Sequence, residues 1–306
     1  MSIRAEKIWF DGALRPFDDA NVHVLAHTLH YGLGVFEGIR AYKQPDGRAG
    51  IWHLDVHLRR FADSMKMMRY EIPFSHDELR EACLATLYAN GHTEAYLRPV
   101  AFLGMGAMGL GARTNPVHTV VATWPWGAYL GEDGLKNGVR LQTSSFTRHH
   151  PNAALGRAKV VGHYVNSIMA RYEANDNGFD EALMLDQNGF VAEGTGENIF
   201  FVRDGVVWTP PTANILPGVT RGTVLEILQH EGIEVREQFF GRDAIYASDE
   251  AFMCGSAAEI TPIRELDRRT VGEGRPGPVT LKVQQLYLDG VRGRVDWLTQ
   301  HITPGR

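Results

Sequence analysis

Cysteine is almost missing from this chain: Cys83 and Cys254 are the only two in 306 residues. Two so far apart exclude a disulfide framework and a cysteine-based metal site. Long hydrophobic runs are missing too. No segment reaches the roughly 18 apolar residues of a membrane helix, and the start, MSIRAEKIWFDG, has no apolar h-region. Neither sign of charge dominates, with 31 Lys plus Arg against 36 Asp plus Glu and a formal net charge of −5. With no basic block, there is no electrostatic footprint for nucleic acid or for an anionic membrane. These absences lead us to expect a cytoplasmic protein with neither nucleic acid nor membrane as partner. Lysine is scarce as well, supplying six of the 31 basic residues.

What is present is ordinary globular composition, 44% apolar and 22% charged, which argues against disorder. A chain this long exceeds what one hydrophobic core usually supports, so two domains are expected. Strands are expected at 35–42, 95–103, 117–124 and 139–146, and a hairpin joins 198–203 to 206–209 around Asp204-Gly205. Further strands are read at 234–240 and 250–254, and an Asn188-Gly189 turn separates two more. Asp55 would N-cap a helix to about Tyr70, and Ser75 with Glu78 forms a capping-box pattern opening a helix to about Asn90. Helices are also expected at 164–175, at 220–230 with Thr220 as N-cap, and at 278–289. Glycines 127, 131, 134 and 138 mark an interdomain linker. The reading is a small N-terminal α/β domain at 1–127, a linker at 128–137 and a larger C-terminal α/β domain at 138–306. Strands and helices mix without regular βαβ alternation, so the fold class is α/β of a mixed, α+β kind.

Several motifs carry less than they first suggest. Gly104, Gly106 and Gly109 match G-x-G-x-x-G after a strand, but loop chemistry follows where a helix should open. The segment is read as a flexible loop near a site or interface. His23, His27 and His30, and the pair His53 and His57, have helical spacing, yet no H-E-x-x-H arrangement contains them. Packing and hydrogen-bonding roles fit them better than metal ligation, and no metal is expected.

The informative stretch is AKVVGHY at 158–164, where Lys159 stands among small and apolar neighbours. A desolvated, uncharged amine can form a Schiff base with a carbonyl; a lysine that snorkels to solvent is the plain alternative. Lys159 and Tyr164 share a site only if Lys159 precedes the helix, which Gly162 permits. LPGVTR at 216–221 leads into a helix whose N-terminal amides suit a phosphate, or simply make a capped helix. Glu193, at a strand end before a glycine-rich turn, is an acid for a pyridine nitrogen or an ordinary turn acid. Phosphate site, amine and carboxylate together are what pyridoxal phosphate requires.

With these residues in view, the chain resembles the branched-chain amino acid aminotransferases of the class-IV, fold-type IV pyridoxal-phosphate enzymes. The likeness runs from about 7 to 290, through HYGLGVFEGIR at 30–40, YLRP at 96–99 and WPWGAYL at 124–130. It continues through EGTGEN at 193–198, LPGVTR at 216–221 and GSAAEITP at 255–262. The resemblance implies two domains with the cofactor cleft between them and reversible transamination of leucine, isoleucine or valine with 2-oxoglutarate. A D-amino acid or (R)-amine transaminase of the same fold is the alternative.

By that resemblance, pyridoxal 5′-phosphate is the cofactor and Lys159 its Schiff-base lysine and proton shuttle. Glu193 pairs with the pyridinium nitrogen and Tyr164 with the phenolic oxygen, while Leu216 packs on the ring. Arg59, the Val219 and Thr220 amides and Ser256 hold the phosphate; the family commonly has threonine at the last position. Phe36, Gly38, Trp126, Tyr129, Tyr164 and Ala257 form an apolar wall for a branched side chain. Arg98, with Tyr31 and Tyr129, receives the distal carboxylate of glutamate, and Tyr96 with the Ser256 and Ala257 amides the α-carboxylate. In the family Tyr31 and the loop near Met108 come from a neighbouring subunit, which implies at least a homodimer.

Overall fold

Alternating burial along 95–103 and 117–124 makes two long strands paired over their whole length, Tyr96 opposite Trp124 and Leu103 opposite Val117. In the computed structural model, which describes residues 5–305, they sit in the middle of an eight-stranded sheet. Its strands are β1 (Lys7–Phe10), β2 (Ala13–Pro16), β3 (Gly34–Phe36) and β4 (Ile39–Lys43). They continue with β5 (Ala49–Trp52), β6 (Ala95–Leu103), β7 (Val117–Trp124) and a C-terminal strand, Ile302–Pro304. Every pairing is antiparallel, in the order C-terminal strand, β5, β4, β6, β7, β1, β2, with β3 also on β6. Three helices accompany it: α1 (His27–Tyr31), α2 (Leu54–Met68) and α3 (His76–Ala89).

Helix α2 places Leu54, Leu58, Phe61 and Met65 on one buried stripe at i, i+4, i+7 and i+11. They join Leu79, Cys83 and Leu87 of α3 and Ile39, Ile51, Leu97 and Val121 of the sheet in one core. The same stripe carries two polar residues, His57 and Ser64, both buried. Ser75 caps α3 as expected: its Oγ accepts the Glu78 N–H at 3.3 Å while its own N–H donates to Glu78 Oε2 at 2.7 Å.

The second set of elements comprises β8 (Val139–Thr143), β9 (Glu181–Leu185), β10 (Val191–Glu193), β11 (Asn198–Arg203) and β12 (Val206–Thr209). After these come β13 (Val235–Glu237), β14 (Glu250–Gly255), β15 (Glu259–Leu266) and β16 (Arg269–Thr270). They form one nine-stranded sheet, with β8 parallel to both β9 and β15, and β12 parallel to β13. The helices here are α4 (Gly131–Asn137), α5 (Tyr164–Asp176), α6 (Val219–His230), α7 (Arg242–Tyr246) and α8 (Pro278–Gly290).

The described chain forms two units, but a single cut does not separate them. One takes the residues to Trp126, Ala158–His163 and Gly290 onward; the other takes Gly127–Arg157 and Tyr164–Asp289. Residues 158–163 belong with the first because Val160 bridges Val35 and the Gly162 N–H bonds Gly32 O at 3.0 Å. The C-terminal strand belongs there because it pairs with β5. The glycine-rich stretch expected as a linker at 128–137 holds α4 and lies in the second unit.

Other departures have local causes. The strand expected at 35–42 is two strands, β3 and β4, broken at Glu37-Gly38, where the Glu37 N–H turns to Pro99 O. Asp55 does not cap α2. His53 does, at φ 49°, with its N–H on His301 O, and Asp55 sits in the first turn facing His76 and Arg80. Helix α2 stops at Met68 because Arg69 turns left-handed at φ 62°. Thr220 does not cap α6 either; Gly218 does, and a Cβ there would lie 2.0 Å from Asn198 Oδ1, so only glycine fits. The strands expected at 139–146 and 234–240 shorten to β8 and β13. No helix opens at Gly109, whose carbonyl lies 2.9 Å from His27 Nε2. Among the described residues no helix is long and apolar enough to cross a membrane, and no cluster of three potential metal ligands occurs.

Candidate active site

Lys159 lies one residue before the bridge residue Val160 and two before a short 3-10 turn, Val161–His163, and α5 begins at Tyr164. The expected break between lysine and helix is there. Both backbone groups of Lys159 are tied within the first unit: its N–H donates to Ser64 Oγ at 3.1 Å and its carbonyl accepts the Phe36 N–H at 3.1 Å. The half-buried amine lies 4.9 Å from the centre of the Phe36 ring.

Strand β6 presents Tyr96 and Arg98 beside that ring. The Arg98 guanidinium lies 4.6 Å from the Phe36 ring centre and 5.3 Å from that of Tyr96, with Nη2 3.4 Å from Tyr96 Oη. Its Nε is buried and has no hydrogen-bond partner among the described residues. Trp126 meets Tyr96 edge to face at 4.6 Å. Gly38 is required by the same ring, since a Cβ there would stand 1.8 Å from Tyr96 Oη. Lys159, Phe36, Gly38, Tyr96, Arg98 and Trp126 are thus brought together. No hydrogen bond or ring contact among the described residues joins Arg59 or Tyr31 to them. Arg59 is on the exposed face of α2, and Tyr31, 44% exposed, packs on His27 at 4.6 Å.

Three side chains beneath this group were not singled out from the sequence as a unit. Glu37, fully buried, accepts Arg60 Nε at 2.7 Å, Arg60 Nη2 at 2.9 Å, His57 Nδ1 at 2.7 Å and the Gly38 N–H at 3.2 Å. Burial favours its protonated form, but the Arg60 and His57 charges and hydrogen bonds outweigh it and hold the carboxyl far below the usual range. Burial, with the Arg60 and Lys159 cations, outweighs Glu37 in turn and lowers His57 from its ordinary value.

In the second unit Glu193 ends β10, and Arg148 Nη2 lies 2.7 Å from its Oε1. Asn198 Nδ2 at 3.3 Å and the Leu216 N–H at 3.2 Å reach its Oε2, and Asn198 also donates to Leu216 O at 3.0 Å. Glu193, Leu216 and the Gly218 cap are therefore one linked structure. Helix α6 starts at Val219 with no side-chain cap, leaving the Val219 and Thr220 amides without helical acceptors. Ser256 and Ala257 form the turn between β14 and β15, Tyr164 opens α5 half-buried, and Tyr129 lies 5.8 Å below the Arg171 guanidinium. Arg148 escaped sequence reading because nothing in a loop beside two histidines signals a partner as remote in the chain as Glu193.

A second buried acid follows Glu193. Glu197 accepts the Gly196 N–H at 3.0 Å, and Arg171 pairs with neighbouring Glu181. Burial, and then the charge of Glu181, push Glu197 up to about 8.

A family model described as amino-transferase class IV matches residues 34–266. A branched-chain-amino-acid aminotransferase of Pseudomonas aeruginosa is 50% identical over 296 residues, covering 97% of this chain and 96% of that protein. The crystal structure of the Escherichia coli branched-chain amino acid aminotransferase has a TM-score of 0.95 at 42% identity, covering 98% of this chain and 99% of that one. A branched-chain amino acid aminotransferase of T.th., complexed with N-(5′-phosphopyridoxyl)-L-glutamate, has a TM-score of 0.94 at 45% identity, covering 99% of each chain.

Proposed function

The chain belongs to the class IV aminotransferase family, and from that premise we propose that it transfers the amino group of leucine, isoleucine or valine to 2-oxoglutarate. The observation carrying this reading is Arg98, a guanidinium on an aromatic wall with a buried, unpaired Nε. Such a site takes an aliphatic side chain against the rings and a distal carboxylate on the arginine. Relatives named as branched-chain aminotransferases support this choice over a D-amino acid or (R)-amine transaminase.

The cofactor of this reading is pyridoxal 5′-phosphate, and the donor set fits it. The uncapped α6 N-terminus, the cradle that a Cβ at Gly218 would fill, and a buried carboxylate paired with Arg148 match a phosphate and a pyridine nitrogen. When bound, the cofactor supplies a sink for the electrons released at the substrate Cα. Lys159 would move the proton between the substrate Cα and the cofactor C4′, and the Phe36 ring limits where its amine can go. Glu193 holds the proton on the pyridine nitrogen, with Arg148 balancing its charge. Arg59, the Val219 and Thr220 amides and Ser256 hold the phosphate, Tyr164 bonds the phenolic oxygen, and Leu216 packs on the ring.

Tyr96 and the Ser256 and Ala257 amides orient the α-carboxylate, while Phe36, Gly38, Trp126 and Tyr129 exclude water from the side chain. The chain works at least as a homodimer. Val24, Leu25 and Leu29 near α1, and Met105, Met108 and Leu110 in the loop bridged to it, are all exposed apolar residues. A second copy covering them would bring Tyr31 to its neighbour's site. Two buried, free cysteines suit the reducing cytoplasm. Purified protein with pyridoxal phosphate should form glutamate from 2-oxoglutarate and each branched-chain L-amino acid; turnover confined to D-amino acids or amines would transfer the assignment to the alternative.

A further inference from the structure

Five consecutive contacts form a closed circuit around Lys159. Its N–H donates to Ser64 Oγ at 3.1 Å, and that hydroxyl donates to Arg60 O at 2.8 Å. The Arg60 side chain grips Glu37 with two bonds, at 2.7 and 2.9 Å. Glu37 follows Phe36 in β3, and the Phe36 N–H returns to Lys159 O at 3.1 Å. The Phe36 ring closes the circuit under the lysine amine, at 4.9 Å. Ser64, Glu37 and His57 are all at or below 1% exposed, and every member lies in the first unit.

We propose that Glu37 is a positioning residue for the transamination chemistry, fixing Lys159 and the Phe36–Gly38 wall through Arg60, Ser64 and the backbone. The inference rests on the function proposed above. A core ion pair kept only for stability needs neither of two further features. First, Glu37 sits between the two wall residues, and its Oε2 accepts the Gly38 N–H at 3.2 Å, so the carboxylate sets the backbone that lets Tyr96 pass Gly38. Second, the helix residue carrying the salt bridge also accepts, through its carbonyl, the hydroxyl that holds the lysine. Bidentate arginine pairing fixes orientation as well as distance. His57 fills a third acceptor position, leaving Glu37 no freedom to face a ligand. Its effect on the reaction therefore passes through Lys159. Misplacing a reacting group by about 1 Å costs roughly a hundredfold in rate.

The test uses the protein loaded with pyridoxal phosphate and the variant Glu37→Gln, which keeps the shape but turns an amide N–H₂ toward Arg60 or His57. The expected result is a kcat for leucine with 2-oxoglutarate lowered roughly ten- to a hundredfold, with both KM values within about threefold of the parent. The pH midpoint of the bound cofactor's visible absorbance should fall by about half a unit or more. The sign follows from removing an anion while Arg60 stays, which disfavours a protonated nitrogen on Lys159. Ser64→Ala, which cuts one link and leaves the ion pair, should lower kcat in the same direction by a smaller factor, and decides the matter if Glu37→Gln does not fold. A folded variant with parental kcat and midpoint overturns the inference while leaving the function standing. A parent protein with no visible band and no turnover overturns both.

Discussion

Glu37 and Glu197 are both sealed from solvent, one in each unit, at 0% and 3% exposure. Glu37 meets a guanidinium and an imidazole, which hold its carboxyl far below the usual range; Glu197 is pushed up by burial and by the charges of Glu181 and Glu193, against the pull of a backbone amide and Arg171. Burial is common to both, so the partners decide the charge. The difference separates two uses of a buried acid. A carboxylate with all its acceptors filled can orient its neighbours. One pushed toward its neutral form adds less negative charge behind Glu193, the carboxylate proposed for the pyridine nitrogen.

The largest expected effect comes from breaking the charged example. Glu37→Ala would remove the carboxylate that Arg60 and His57 share in the core, and loss of about 3–5 kcal/mol is expected in chemical denaturation. A loss below about 1 kcal/mol would mean the pair is idle. Arg98 sharpens the contrast from the other side. Arg60 has its carboxylate in Glu37, whereas Arg98 has no carboxylate partner among the described residues, and under the proposed function the ligand supplies one. Arg98→Ala should lower kcat/KM for 2-oxoglutarate roughly ten- to a hundredfold and that for leucine by no more than about threefold. Equal losses would break the two-use pocket.

The smallest effect concerns pH. Folding raises Glu197 from an ordinary 4.5 to about 8, so its stabilising share is complete below 4.5 and is lost as pH rises through 8. Glu197→Gln should therefore be close to neutral at pH 4.5 and more stable than the parent by a margin that grows as pH rises toward 8, reaching about 1 kcal/mol or more by pH 6. Glu37, shifted the opposite way, stabilises above the ordinary carboxylate range and loses that share as acid protonates it. Denaturation midpoints of the parent and Glu197→Gln across this range check the first sign, and those of the parent and Glu37→Gln below the ordinary carboxylate range check the second.

How far such differences are legible in sequence depends on how local their causes are. The strands at 95–103, 117–124, 198–203 and 206–209 and the Ser75–Glu78 cap emerge with their expected bounds, because period, turn chemistry and capping act within a few residues. The caps at His53 and Gly218 do not, since each is chosen by a remote neighbour, His301 O or the Asn198 side chain. Lys159 is legible from its company and from the resemblance; its setting is not. His57 reads as a hydrogen-bonding histidine, but Glu37 lies 20 residues away on another element, and Arg148 meets Glu193 only in the folded sheet. The membership of residues 158–163 and the C-terminal strand in the first unit is not legible for the same reason, because both join it by long-range pairing.

Lysine scarcity makes the central claim directly measurable. The chain has only Lys7, Lys43, Lys66, Lys136, Lys159 and Lys282. Borohydride reduction of the protein loaded with pyridoxal phosphate, followed by peptide mass mapping, should place a phosphopyridoxyl group on Lys159 alone. A label on any of the other five, or none, would contradict the account.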